Sequence, residues 1–127
     1  MGNNVKIYGK IIISGNPLNI EIGDNVTLNA GVILNTHEKI KIGNNSRLSN
    51  GVQLHTTYLD VESRRHIDKP IILKENIWLA SNVVVNANST IGKNSIVGAN
   101  SFINGTVSSN EFWAGSPAKY IKGIKSE

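Results

Sequence analysis

The sequence predicts an all-β protein, a parallel solenoid of about five triangular coils, and three observations predict it. Apolar residues recur at every sixth position: Ile22, Leu28 and Leu34, then Ile42, Leu48 and Leu54, then Leu73, Leu79, Val85, Ile91, Val97 and Ile103. That period fits neither the 3.6 of an amphipathic helix nor the alternation of a hairpin meander. Successive blocks open alike, as IGDNVT, IGNNSR, LKENIW and IGKNSI, with an apolar residue first and Asn at the third or fourth place. Aromatics are only 6% of the chain, so the bulk comes from Ile, Val and Leu, which suits a core of small β-branched layers.

Each six-residue unit is then a short strand plus a corner, and three units close one coil. One apolar side chain per unit points inward, and stacked coils bury a continuous column of them. The corners must turn sharply, which favours residues that tolerate positive φ. Asn25, Asn44, Asn45, Asn76, Asn94 and Asn100 fall at or near them. Strands of neighbouring coils pair in parallel at a spacing of about 4.8 Å.

Taken in order, Ile11 to Ser14 opens the solenoid with irregular spacing. The regular step is eighteen residues, as from Leu73 to Ile91, and its breaks are informative. Ile22 to Ile42 is twenty, which places a small bulge near His37-Glu38-Lys39. Ile42 to Leu73 is thirty-one, so a polar loop, about 56–69, is extruded after Leu54 through TTYLDVESRRHIDKP. Ordered excursions from a repetitive scaffold often carry function. After Ile103 the hexads stop, and residues 108–127 form a tail. There Ser116 reads as an N-cap and Pro117 as a first helical position, predicting a short C-terminal helix from Pro117 to about Lys122. Tyr120, Ile121 and Ile124 could then fold back on the coils. The whole, 1–127, reads as a single domain.

Composition narrows the function classes. The chain has no Cys, which excludes disulfides, thiolate catalysis and Cys-ligated zinc. The start, MGNNVKIYGK, shows no apolar leader, and Val5, Lys6 and Ile7 stand where a myristoylation motif wants Ser or Thr. No run approaches the roughly 20 apolar residues of a membrane span, so a cytoplasmic location is expected. The net charge of +4 is concentrated in Arg64, Arg65, His66 and Lys69, and in Lys119, Lys122 and Lys125. Without interleaved aromatics this is not a nucleic-acid surface, while a phosphorylated small molecule remains compatible with it.

The hexads, the loop after Leu54, KPIILKENIWLAS, STIGKNSIVGANSFI and WAGSPAKYIKGI together resemble the hexapeptide-repeat acyltransferases. Within that family the chain is most similar to the small sugar and polysaccharide O-acetyltransferases, of the galactoside and maltose acetyltransferase type. The resemblance runs over nearly the whole chain from about Ile20. It implies a left-handed β-helix, an exception to the usual right-handed crossover. It also implies a homotrimer with acetyl-coenzyme A between two subunits, no metal, and an acetyl group moved to a sugar or glycan hydroxyl, as in polysaccharide biosynthesis. By resemblance, Trp78, Ser81, Ala99 and Asn104 line the cofactor cleft, and Lys119 and Lys122 meet the nucleotide phosphates. Small residues suit a narrow pantetheine arm, and late cations suit a phosphate. Asn29 and His37 match acceptor-binding positions.

The family's general base departs from the pattern here. It lies five residues after the last inward residue of its coil, and counting from Leu54 gives Leu59, which cannot accept a proton. His55 and His66 are the candidate catalytic replacements. His55 follows inward Leu54 and should point outward in a column with Asn86 and Asn104, whereas His66 lies in the loop near Asp60 and Asp68. Ser81 or backbone donors would steady the oxyanion. Two other readings stand beside transfer. One is a catalytically impaired protein that binds CoA or a partner, motivated by Leu59. The other is a metalloenzyme like the γ-class carbonic anhydrases, whose clustered His spacing His37, His55 and His66 do not reproduce.

Overall fold

The structure is a computed structural model, and it describes residues 1–125. The hexads fold into a left-handed parallel β-helix whose three faces are three sheets. The first face stacks Lys6–Ile7, Thr27–Leu28, Arg47–Leu48, Trp78–Leu79, Ile96–Val97, Glu111–Gly115 and Ala118–Gly123. The second stacks Ile12–Gly15, Ile33–Thr36, Gln53–His55, Val84–Val85 and Phe102–Ile103. The third stacks Ile20–Ile22, Ile40–Ile42, Ile71–Leu73, Thr90–Ile91 and Thr106–Val107. Apart from the last pair of the first face, neighbours within each face run parallel.

The inward hexad residues are all buried, and they sit over one another in register, as Leu28, Leu48, Leu79 and Val97 do on the first face. Burying one such side chain contributes about 1.5–3 kcal/mol. A second inward row stands two residues earlier in each unit: Val26, Val32, Ile40, Val52, Ile71, Ile77 and Val83, partly buried Ile20, and Ser46, Ser89, Ser95 and Ser101. These serines are buried without loss because each hydroxyl meets backbone. Ser95 donates to the Ser108 carbonyl at 2.7 Å, and Ser101 accepts from the Gly115 N–H at 2.9 Å.

The corners are asparagine, as the sequence suggests. Asn25, Asn45, Asn76, Asn94 and Asn110 all have φ near +60°, the left-handed region that Asn tolerates better than other non-glycine residues. Asn82, Asn88 and Asn100 do the same elsewhere, whereas Asn44 stays outside that region and accepts the Asp24 N–H at 2.7 Å. The left-handed corner residues also link coil to coil, Asn76 to Asn94 and Asn94 to Asn110, each at 3.0 Å.

The extruded segment is an antiparallel hairpin, Thr57–Asp60 against Arg65–Asp68. The expected C-terminal helix is not formed. Residues Ala118–Gly123 are instead a strand that returns antiparallel along Glu111–Gly115. Glu111–Gly115 continues the first face beyond Ile96–Val97, and a helix would leave its outer edge unpaired. The tertiary demand for hydrogen bonds overrides the local Ser-Pro cap signal. Tyr120 and Ile121 correspondingly stay 53% exposed instead of folding onto the coils, while the Ile124 N–H docks on the Asn110 carbonyl at 2.7 Å.

Candidate active site around the second face

Two edges of the second face gather most of the residues singled out from the sequence. At the corner leading into the face, Ser81 and Ala99 are exposed in successive coils, joined where the Asn100 N–H donates to the Ser81 carbonyl at 2.9 Å. Asn29 lies at the same corner two coils earlier. Its amide donates to the Leu48 carbonyl at 3.0 Å, so the side chain ties two coils together.

At the corner leaving the face stands His55. It follows buried Leu54 on the strand Gln53–His55, so the pleat turns it outward. Gln53, two residues earlier, shares that side, and its Oε1 lies 2.8 Å from His55 Nε2. Burial holds the imidazole below its ordinary 6.5, because desolvation disfavours the charged form. His55 is therefore neutral near pH 7. Asn86 and Asn104 continue its column, with Asn86 donating to Asn104 at 3.4 Å. A cavity of about 260 Å³ opens beside them, lined by Tyr58, Asn86, Ala87, Asn88 and Asn104. His37 is exposed at the same edge, next to Glu38, whose N–H donates to Thr56 Oγ1 at 3.1 Å.

The hairpin rises from this edge. Leu59 and His66 are directly opposed across its two strands, and Leu59 is 54% exposed. Directly opposed residues share one side of a hairpin, so the imidazole sits beside the leucine. Neither nearby carboxylate is aimed at His66. Asp68 accepts from Thr57 Oγ1 at 2.6 Å, and Asp60 accepts from Ser63 Oγ at 2.7 Å, which lowers the Asp60 pKa.

The remaining candidates lie on the first face. Trp78 is exposed, donates from Nε1 to Ser49 Oγ at 3.3 Å, and has the Arg47 guanidinium 5.4 Å from its ring centroid. Lys119 and Lys122 are exposed on the terminal strand, where Lys122 pairs with Phe112. One protomer thus brings His37, His55 and Asn104 to one edge, and Asn29, Ser81 and Ala99 to the other. It does not bring the two sets together. Within the described residues, no three His, Asp or Glu side chains gather as a metal set. Gln53 and Arg47 were not foreseen. The signal for Gln53 was its place two residues before His55 on one strand.

The model for six repeats of the bacterial transferase hexapeptide matches residues 70–105, and the hexapeptide repeat of succinyl-transferase matches 14–36. The chain is built of the hexapeptide repeats of the bacterial transferases. A Dictyostelium discoideum protein named for an inferred acetyltransferase activity is 40% identical over 111 residues, spanning 84% of this chain and 58% of that relative. The chain therefore spans less than two thirds of that curated relative. Among solved structures, a hexapeptide-repeat acetyltransferase of Vibrio cholerae complexed with acetyl-coenzyme A superposes with a TM-score of 0.94 at 27% identity, over 99% of this chain and 71% of that one. A maltose O-acetyltransferase of Clostridium difficile superposes at 0.93 and 27% identity, over 99% and 70%. Both likenesses extend through the terminal hairpin as well as the coils.

Proposed function

We propose that this protein transfers an acetyl group from acetyl-coenzyme A to a hydroxyl of a sugar or glycan, with His55 as general base. The observation that carries the reading is the His55–Gln53 pair, a half-buried neutral imidazole beside an amide-lined cavity. With Gln53 Oε1 accepting the Nε2 proton, Nδ1 keeps a free lone pair that can take the acceptor's proton. The hydroxyl oxygen then attacks the thioester carbonyl, and the carbon–sulfur bond breaks as CoA departs as its thiol. Ser81 Oγ is a donor for the oxyanion. The V. cholerae relative's complex supports acetyl-coenzyme A as donor. Ser81 and Ala99 fit it because they put no bulk on their corner, and Lys119 and Lys122 supply exposed cations for its phosphates.

Since the two edges are apart in one protomer, the reading places the Ser81–Ala99 corner of one subunit opposite the His55 edge of its neighbour in a homotrimer. The second face supports this: Val84 and Phe102 are partly exposed apolar neighbours on its outside, and Ile33 lies beyond Gln53 in the same column. Asn29 and His37 are proposed acceptor contacts. Acetyl transfer to a panel of sugars tests the proposal. His55→Ala should lose on the order of 10²–10⁴-fold in turnover with CoA binding retained.

The hairpin favours one second reading. Leu59 occupies the position of the family's base, and His66 opposite it is the only imidazole on that hairpin. If His66→Ala abolishes turnover and His55→Ala does not, the base has moved across the strand pair. No turnover in the parent protein, with CoA still bound, would make it a CoA-binding protein without activity.

A further inference from the structure

The third face carries a cluster that the acyl-transfer reading does not use. In the coil blocks, the residue after the inward hexad position is Gly23, Gly43 and Gly92, but in the third block it is Lys74. The register places Lys74 between Gly43 and Gly92, since Leu73 pairs with both Ile42 and Ile91. Gly43 has no room for a side chain, because an added Cβ would lie 2.5 Å from the Lys74 backbone carbonyl. The glycine on either side leaves Lys74 standing over an open shelf.

That shelf is a cavity of about 310 Å³. Lys41 lines it from the outside of the third face and Lys93 from the adjoining corner, so with Lys74 three exposed lysines from three successive coils border one cavity. Among the described residues lining it, Glu75 is the one carboxylate; Asn44 adds an amide and Ile72 an apolar floor. Glu21 lies beside Lys41 in register and offsets part of its charge. The remaining excess is positive and concentrated in a concavity, where field lines focus.

We propose that this shelf binds a phosphate-bearing sugar. A phosphate offers three acceptor oxygens and close to two negative charges, which match three point-charge ammoniums better than a single carboxylate does. Glu75 and Asn44 accept and donate to sugar hydroxyls, and Ile72 supports the apolar face of the ring. The site is a small shelf with no aromatic residue in its lining, which sets it apart from a nucleic-acid groove. It lies on a different face from the His55 edge, so it serves recognition and not the transfer step.

Binding is measured without turnover, so failure here is separate from failure of the acyl-transfer reading. Glucose 6-phosphate, inorganic phosphate and glucose are titrated onto the intact protein, following backbone amide shifts and heats of binding at low and at 200 mM salt. Glucose 6-phosphate should perturb residues around 41–44 and 72–75, bind more tightly than either other probe, and weaken severalfold at the higher salt. Lys74→Gly restores the glycine of the neighbouring coils and should fold normally while weakening binding at least tenfold; Lys93→Ala should weaken it severalfold. The proposal is overturned if glucose 6-phosphate leaves those amides unmoved, if inorganic phosphate or glucose binds as tightly, or if a folded Lys74→Gly protein binds like the parent.

Discussion

His55 and Gln53 make a hydrogen-bonded pair, the proposed base and its partner, whose behaviour follows from burial and one hydrogen bond. Because the folded imidazole titrates below 6.5, turnover should hold down to that range and fall only at lower pH as His55 protonates. Gln53→Glu puts a carboxylate beside the ring, which favours the imidazolium and should move the acid limb of the kcat/KM profile upward. Gln53→Leu should lower kcat with little change in KM, as expected for a positioning residue. Stability carries the same signature. The unfolded chain takes up the His55 proton near 6.5 before the folded one does, so stability falls as pH drops from 6.5 through the lower folded value. Thermal melts of His55→Gln across that window should show a shallower loss than the parent. The outward direction of His55 was legible in the sequence, because it follows a hexad leucine. Its partner was not, since nothing in the hexad spacing says which outward residue will bend toward which.

At the level of the structural element, the corner asparagines can be separated into two contributions. Asn94 holds φ at +64° and bonds to both Asn76 and Asn110. Asn94→Ala should cost about 1–2 kcal/mol for the left-handed backbone alone, with the two lost side-chain links on top. Asn94→Gly keeps the conformation easily and should be the milder variant in urea unfolding. The hexad column was fully legible, since every hexad position named from the sequence is buried. The second inward row was not, because Ser46, Ser89, Ser95 and Ser101 break its hydrophobic pattern and only their backbone bonds make them core residues. The tail was misread for a related reason. Ser116-Pro117 is a genuine local helix-start pattern, but an edge strand with open hydrogen bonds lay beside it, and sequence does not display that edge.

For the whole molecule, the open question is how two separated edges become one site. Phe102 sits outward on the second face beside Val84, where an ammonium would be tolerated in a lone solenoid and excluded from a packed one. On the proposed shared cleft, Phe102→Lys should leave the β-helix spectrum intact, shift the expected trimer to monomer in light scattering, and abolish transfer. A parent protein that is monomeric and active would refute the shared cleft. This level was the least legible, because the proposed sharing of the site between subunits would leave only half of its geometry in any one chain.

The hairpin after Leu54 has a wider consequence. Arg47 and Trp78 are stacked neighbours although they lie thirty-one positions apart, just as Trp78 and Ile96 are at eighteen apart. The body therefore does not register how much chain leaves it at that point. The excursion can therefore change in length while the coils on either side of it keep their register.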